Sequence, residues 1–368
     1  MFDPKRSQSP GNQPELVSRF CPTTKQTHGR TKSTLIKMAG PFCVVIPAYN
    51  AQSTIGRAIA SACQAEVSEI VVIDDASDDA TAARAGEADD GSGRLFVIRS
   101  EQNLGPAAAR NLAIANTTAP FIALLDADDY FLPGRFAALD PECGGWDLLA
   151  DNIRFVPEES GTSSRAIAPN GNTVTPRQLD FEGFVAGNIG RPGEQRGEMG
   201  FLKPVIRRDF LVRHDLSYDA QMRLGEDFDL YARMLALGAR FGVTSACYYV
   251  AVERRASLSS SHRTEDLAAL LASIERLSCS SNETHREAIA PLREQVAQRW
   301  RLRSFLDDKR NLGLWRALTE GAWAPAELRG ILAQIARDKI ANHRGSEPRK
   351  ARVRMLLQGS DWGRQLPL

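Results

Sequence analysis

The sequence predicts an α/β protein: a mostly parallel, Rossmann-like central sheet flanked by helices and followed by an α-helical C-terminal region. Three observations carry this. Four short apolar runs lie between Phe42 and Asp126, each with the composition of a strand buried on both faces. A segment of helical pattern separates the runs. Beyond Thr264 only helical periodicities remain. A strand covered on both faces loses the polar–apolar alternation of a half-exposed one. Successive strands joined by helices form right-handed crossovers, and those build parallel sheets.

Residues 1–40 are rich in Pro, Ser, Thr, Gln and basic side chains, with too little apolar periodicity for a core, and are expected to be a disordered tail. Met38, just before the first strand, is expected to be the natural start. FCVVIP (42–47) is the first strand, and Ser53 is expected to cap a helix with Ile55, Ile59 and Ala62 on one face. EIVVIDD (69–75) is the second strand, and Asp78 opens an Ala-rich helix. LFVIRS (95–100) is the third strand, Gly105 to Asn116 a helix, and FIALLD (121–126) the fourth strand. Residues 141–200 are less regular: a short strand from Trp146 to Ala150, then a long Gly- and Pro-rich excursion. FLKPVIRRDFL (201–211) returns to order. Glu226 to Leu237 is a helix with Phe228, Tyr231, Leu235 and Leu237 near one side, and Phe241 to Ala251 is a strand-like run. Leu267, Leu270, Leu271, Ile274 and Leu277 mark one C-terminal helix. Ile289, Leu292, Val296, Trp300, Leu302 and Leu306 mark another, and shorter helices are expected to Leu357. The expected organisation is a tail over 1–40, an α/β domain over 41–260 and a helical region over 261–368.

The 43% hydrophobic and 25% charged fractions are those of a globular protein. The net charge of +1 is unevenly spread: +5 over residues 1–40, −11 over 41–282 and +7 over 283–358. An acidic centre argues against nucleic-acid binding, because a phosphate backbone demands the opposite sign. The six cysteines have no CxxC spacing and several sit in apolar runs, which fits reduced thiols in a cytoplasmic setting. There is no apolar h-region at the N-terminus and no apolar run near 18 residues. GxGxxG is absent after the first strand, so NAD or FAD binding is not expected.

Special chemistry collects where the elements end. Pro47-Ala48-Tyr49-Asn50 ends the first strand and Asp74-Asp75 the second. Asn103-Leu104-Gly105 leads into the helix with Arg110 and Asn111. Asp126-Ala127-Asp128-Asp129 ends the fourth strand, and Gly225-Glu226-Asp227 opens a helix. Sheets of this class bind ligands outside the carboxyl ends of their strands. Clustered carboxylates repel unless a cation lies between them, and hard oxygen ligands suit Mg²⁺ or Mn²⁺. The fourth strand is therefore expected to hold a divalent ion, and the ion a diphosphate.

With VVIPAYN (44–50), IVVIDDAS (70–77), NLGPAAARN (103–111), LLDADD (124–129) and GED (225–227) in this order and spacing, the chain resembles the family 2 glycosyltransferases of GT-A fold over roughly residues 42–255. Within that family it resembles the bacterial exopolysaccharide glucosyltransferases of succinoglycan assembly. The resemblance implies an inverting transfer of one sugar from a UDP-sugar, UDP-glucose in that subfamily. Asp75 would contact the uracil, and Pro47, Ala48 and Tyr49 would form the base and ribose slot. Arg110 would lie near the nucleotide. Asp126 would touch the ribose or donor sugar, and Asp128 would bind the metal. Asp227 would be the general base, with Glu226 and a simple helix-terminus role as its alternatives. Asp129 is expected to be a structural carboxylate.

Gln295 to Trp300 nearly matches the QxxRW motif of processive synthases, but Val296 puts the spacing off by one. Single addition, not polymerisation, is expected, with Trp300 in a core. Acceptors in this context are polyprenyl-diphosphate-linked sugars, so the basic C-terminal helices are expected to meet an anionic membrane surface, peripherally on the inner face of the plasma membrane, against the alternative of a solvated basic face. Arg254, Arg255 and the serines of 257–261 are expected to close over the donor, to meet the acceptor, or to lie in solvent. Two other classes compete with the transferase reading. A nucleotidyltransferase would want a Gly-rich basic loop where PAYNAQST stands. A non-catalytic nucleotide-sugar-binding scaffold would not need Asp227.

Overall fold

The computed structural model describes residues 40–158, 175–190, 199–253, 263–319, 323–343 and 353–357. The expectations for the N-terminal tail, for Met38 and for residues 254–261 lie outside these.

Four strands form as the apolar runs demand: β1 (Phe42–Ala48), β2 (Val67–Asp74), β3 (Leu95–Arg99) and β4 (Phe121–Leu124). They pair in parallel in the order β3-β2-β1-β4. Val44, Val45, Ile46, Val71, Val72 and Ile73 are fully buried, each contributing about 1.5–3 kcal/mol of apolar burial. The intervening helices are α1 (Ile55–Ala62), α2 (Thr81–Glu87) and α3 (Pro106–Ala115). Two expected caps are corrected. Ser53 is exposed and caps nothing: the N-cap position of α1 is Thr54, and the Ala51 carbonyl accepts from the amides of Thr54 and Ile55. Asp78 does not open α2. Asp79 does the local work, accepting from the amides of Thr81 at 2.9 Å and Gln52 at 3.2 Å.

After β4 come β5 (Tyr130–Phe131), α4 (Arg135–Ala138), β6 (Leu148–Ala150), β7 (Ile153–Pro157), β8 (Arg177–Leu179), α5 (Phe181–Ala186) and a 3-10 turn at Met199–Phe201. Next follow β9 (Val205–Arg207), α6 (Arg208–Arg213), α7 (Glu226–Ala236), β10 (Phe241–Val243) and β11 (Tyr249–Glu253). The main sheet has eight strands, continuing from β4 through β9, β6 and β10 to β8. β9 runs antiparallel to both its neighbours and β8 antiparallel to β10, so the sheet is mixed. The single run expected over Phe241–Ala251 is two strands in different sheets. β10 joins the main sheet, and β11 pairs with β5 and β7 in a second one. The expected strand at Trp146 begins at Leu148.

The C-terminal region is α8 (Thr264–Ser280), α9 (Glu283–Leu312), α10 (Leu314–Thr319), α11 (Pro325–His343) and β12 (Arg354–Met355). β12 corrects the expectation of helices alone up to Leu357: it adds an antiparallel strand to β7. Leu270, Ile274, Leu277, Ile289, Leu292 and Val296 belong to the same apolar core as the main sheet. Leu237 and Leu306 leave the buried stripes assigned to them and are 50% and 38% exposed; Leu237 lies at the C-terminal end of α7. Trp300 is half-buried. Gln295 is structural, exchanging side-chain hydrogen bonds with the Gly190 amide (3.0 Å) and carbonyl (2.8 Å). Among the described residues no helix is long and apolar enough to cross a membrane.

Candidate active site

β1 and β2 end side by side, and their loops are latched. The Asn50 amide donates to Ser77 Oγ (2.9 Å) and the Asp78 amide to Asn50 Oδ1 (2.9 Å). Asn50 and Ala76 both hold positive φ (49° and 58°), an uncommon state for non-glycine residues that clusters at binding sites. Pro47 is half-buried, Ala48 buried and Tyr49 46% exposed at this mouth. Asp74 is a structural residue: its oxygens accept from the Ser77 amide (3.1 Å) and from Arg99 (2.9 Å). Asp75 is buried. Its Oδ1 accepts from the Leu104 amide (2.7 Å) and its Oδ2 from the Gly105 amide (2.8 Å), which ties the third motif to the second. One lone pair on each oxygen is left by this pattern.

Deeper in, two cations bridge three carboxylates. Arg110, on α3, donates to Glu226 Oε1 (2.7 Å) and Asp126 Oδ1 (3.0 Å), and lies 3.7 Å from Asp227 Oδ1. Lys203, just before β9, donates to Asp227 Oδ2 (2.8 Å) and meets Asp126 Oδ2 at 3.0 Å. Arg110, Lys203 and Asp227 are buried. Burial opposes the charge on Lys203 and Arg110, but the facing carboxylates outweigh it and hold both pKa values above their ordinary ones. Burial likewise raises Asp126, yet Lys203 and Arg110 bring its carboxyl down to about 2. Asp227 Oδ1 has no hydrogen-bond partner among the described residues. The hydroxyls of Tyr218 and Tyr231 line the same interior. Burial and the Asp227 charge push both well up, so they stay protonated.

The sequence placed Arg110, Asp126 and Asp227 in the site, and the fold brings them together. It missed Lys203. The signal was a lone lysine inside the apolar run FLKPVI (201–206), where a buried cation demands a partner. It also missed the frame that holds Lys203. Arg135 is fully buried, donates to Asp151 Oδ1 (3.1 and 2.9 Å) and to the Lys203 carbonyl (2.6 Å), and stacks on Phe131 at 4.5 Å. Asp151 Oδ2 in turn accepts from the amides of Tyr248 and Tyr249 (2.7 and 3.0 Å).

The three carboxylates ending the fourth strand separate by environment. Asp126 has one cation on each oxygen. Asp129 is buried and accepts from Tyr249 Oη (2.7 Å) and the Val252 amide (2.9 Å). The same hydroxyl accepts from the Asp126 amide (3.2 Å). Burial, then the charges of Asp128 and Asp126, push the Asp129 carboxyl well above the usual range. Asp128 is half-exposed, and its carbonyl accepts from Arg57. Among the described residues there is no cluster of three or more His, Cys, Asp or Glu that would cage a metal. One half-exposed carboxylate is nevertheless compatible with a hard divalent ion such as Mg²⁺ or Mn²⁺. Such ions take one or two protein carboxylates, and substrate phosphates and water supply the rest.

Residues 43–190 match the model of Glycosyl transferase family 2. The chain is 47% identical over 312 residues to succinoglycan biosynthesis protein ExoU of Rhizobium meliloti (strain 1021), covering 83% of this chain and 89% of that protein. A 115-residue stretch, 31% of this chain and 43% of the relative, is 34% identical to UDP-Glc:alpha-D-GlcNAc-diphosphoundecaprenol beta-1,3-glucosyltransferase WfgD of Escherichia coli. Among solved structures, S. aureus TarS 1-349 in complex with UDP-GlcNAc matches with a TM-score of 0.52 at 20% identity, over 79% of this chain and 78% of that one; the likeness is one of fold.

Proposed function

The chain belongs to glycosyl transferase family 2, and from that premise we propose that it moves one glucosyl unit, with inversion, from UDP-glucose to a saccharide carried on a polyprenyl diphosphate at the cytoplasmic face of the membrane. That it is a glycosyltransferase related to the succinoglycan biosynthesis proteins follows from the family and from ExoU. The name of WfgD, with its UDP-Glc donor and diphosphoundecaprenol acceptor, supports the finer choice of substrates.

The observation that carries the reading is Asp227: a buried carboxylate at a helix N-terminus, one oxygen held by Lys203 and the other without a hydrogen-bond partner among the described residues, with Arg110 3.7 Å away. In the proposed reaction an acceptor hydroxyl attacks the anomeric carbon and its proton passes to Asp227 Oδ1. The bond from that carbon to the diphosphate oxygen breaks, and its electron pair leaves with UDP. Attack opposite the leaving group inverts the centre. Asp75 and the Pro47–Tyr49 backbone take the uracil and ribose, and Asp126 the ribose or donor sugar. Arg110 and Lys203 turn part of their charge from the carboxylates to the diphosphate as it arrives, which loosens the cluster around Oδ1. Asp128 would hold a divalent ion, which neutralises charge on the leaving group when bound.

Asp227→Asn should lower kcat by roughly a thousandfold while leaving UDP binding, read by calorimetry, within a few-fold of wild type. Undiminished transfer by this variant would remove Asp227 from the role of base. Wild-type transfer that survives full chelation would remove the divalent ion.

A further inference from the structure

Far from the sheet, where α9 passes into α10, residues 311–316 form an unbroken run of exposed residues. Three are large and apolar: Leu312 at 45%, Leu314 at 46% and Trp315 at 80% exposure. The local sequence KRNLGLWR (309–316) has three cations and no acid. Gly313, at φ +86°, makes the turn, so the apolar chains stand on a corner, not in a groove. Behind them Phe305, Ala317 and Ile331 form a small separate core, which fixes the corner from within. Of the two acids that precede this stretch, Asp307 accepts from Thr264 and faces Arg303 at 3.9 Å, and Asp308 is half-buried.

We propose that this corner is a lipid-surface anchor, in which Trp315, Leu312 and Leu314 enter the headgroup–acyl boundary of an anionic membrane and Lys309 and Arg310 lie on its headgroups. The partner's chemistry follows from three features. Tryptophan has an apolar body and one polar N–H, and such rings settle at membrane interfaces. The flanking charge is of one sign and complements anionic lipid. Three side chains offer at most about 500 Å² in all, well short of the roughly 800 Å² per partner of a standard protein interface. The proposal extends the reading of a lipid-linked acceptor. It rests on residues outside the catalytic cluster and is tested without turnover.

The test is flotation of the full chain with vesicles of phosphatidylglycerol and phosphatidylcholine, against vesicles of phosphatidylcholine alone. Wild type should float with the anionic vesicles and partition about thirtyfold less without anionic lipid. Trp315→Ser with Leu314→Ser should cut partition roughly tenfold or more with an unchanged melting curve, since both side chains are exposed. Lys309→Glu with Arg310→Glu should do the same by a separate route. Equal flotation of wild type and both variants would overturn the proposal. So would a wild-type dimer in sedimentation that Trp315→Ser converts to monomer without lipid, which would make the corner a contact between copies. Transfer to a soluble acceptor should be unchanged in the Trp315 variant. Loss of lipid binding with transfer retained separates this inference from the catalytic reading.

Discussion

Lys203 is the residue on which the candidate site turns. Its ammonium lies between Asp126 and Asp227. Removing one member of a buried charged set leaves the others unpaired, which costs about 3 kcal/mol. Lys203→Met should therefore lower the unfolding free energy measured in urea by that order, and Lys203→Arg by less. The pH dependence follows the same pairing. Asp126 is held near 2 against an ordinary value of 3.8. A carboxylate depressed on folding stabilises the protein above its unfolded value, and the contribution is lost as pH falls through the folded one. The melting temperature of wild type should thus fall between about pH 4 and pH 2, and less steeply in Lys203→Met. Asp129 acts in the opposite sense, because its raised carboxyl contributes below 3.8 and loses that contribution as pH rises. Comparison of the two Lys203 forms cancels it. From the sequence, Asp126, Asp128 and Asp129 could be told apart only through the family resemblance. In the fold the oxygens of Asp126 and Asp129 are claimed by Lys203, Arg110, Tyr249 and Val252, each at least 16 positions away.

At the scale of elements, α7 delivers Asp227, the proposed base, and α8 holds α7 in place. Gly225, the N-cap position of α7, sits at φ +74°, and a Cβ there would lie 2.8 Å from Leu270 Cδ1 on α8. Asp229 ties the two helices further, accepting from Ser273 while paired with Arg233. Gly225→Ala should cost about 1–2 kcal/mol in backbone strain, and displacement of the first turn should lower kcat more than it raises KM. Thermal melting and steady-state kinetics check both. The helix itself was legible from Glu226 to Leu237, because its apolar period is local. The Phe241–Ala251 run was not legible as two strands. Both halves are apolar, and only their partners, β6 and β7, put them in different sheets.

Across the whole molecule, the chain closes on itself at β12. The Asn152 side chain exchanges two hydrogen bonds of 2.9 Å with the Leu357 backbone, and Leu356 and Leu357 are buried in the main core. Truncation after Arg352 would expose the edge of β7 and unbury two leucines, at about 1.5–3 kcal/mol each. The truncated chain should melt several degrees lower and aggregate through the uncovered strand. The acidic centre and basic C-terminal region read from the sequence give the anchor at Lys309–Trp315 its sign. The exposure of Trp315 had to come from the fold, since a tryptophan following Leu312 and Leu314 reads equally well as core.

By itself the sequence determined the parallel half of the sheet, the order of its strands and helices, and the loops and helix starts that carry Asp75, Arg110, Asp126, Asp128 and Asp227. Those features are written in apolar runs, helical periods and polar residues at element ends, all of which act over a few neighbouring positions. Only the tertiary structure decided that β9 runs antiparallel between β4 and β6, that β12 closes the second sheet, and that Lys203 sits between Asp126 and Asp227 with Arg135 holding its carbonyl. Each of those depends on charges or backbone edges meeting across tens to hundreds of positions. A buried lysine finds its carboxylates through the packing of the whole core, and no local pattern records which ones.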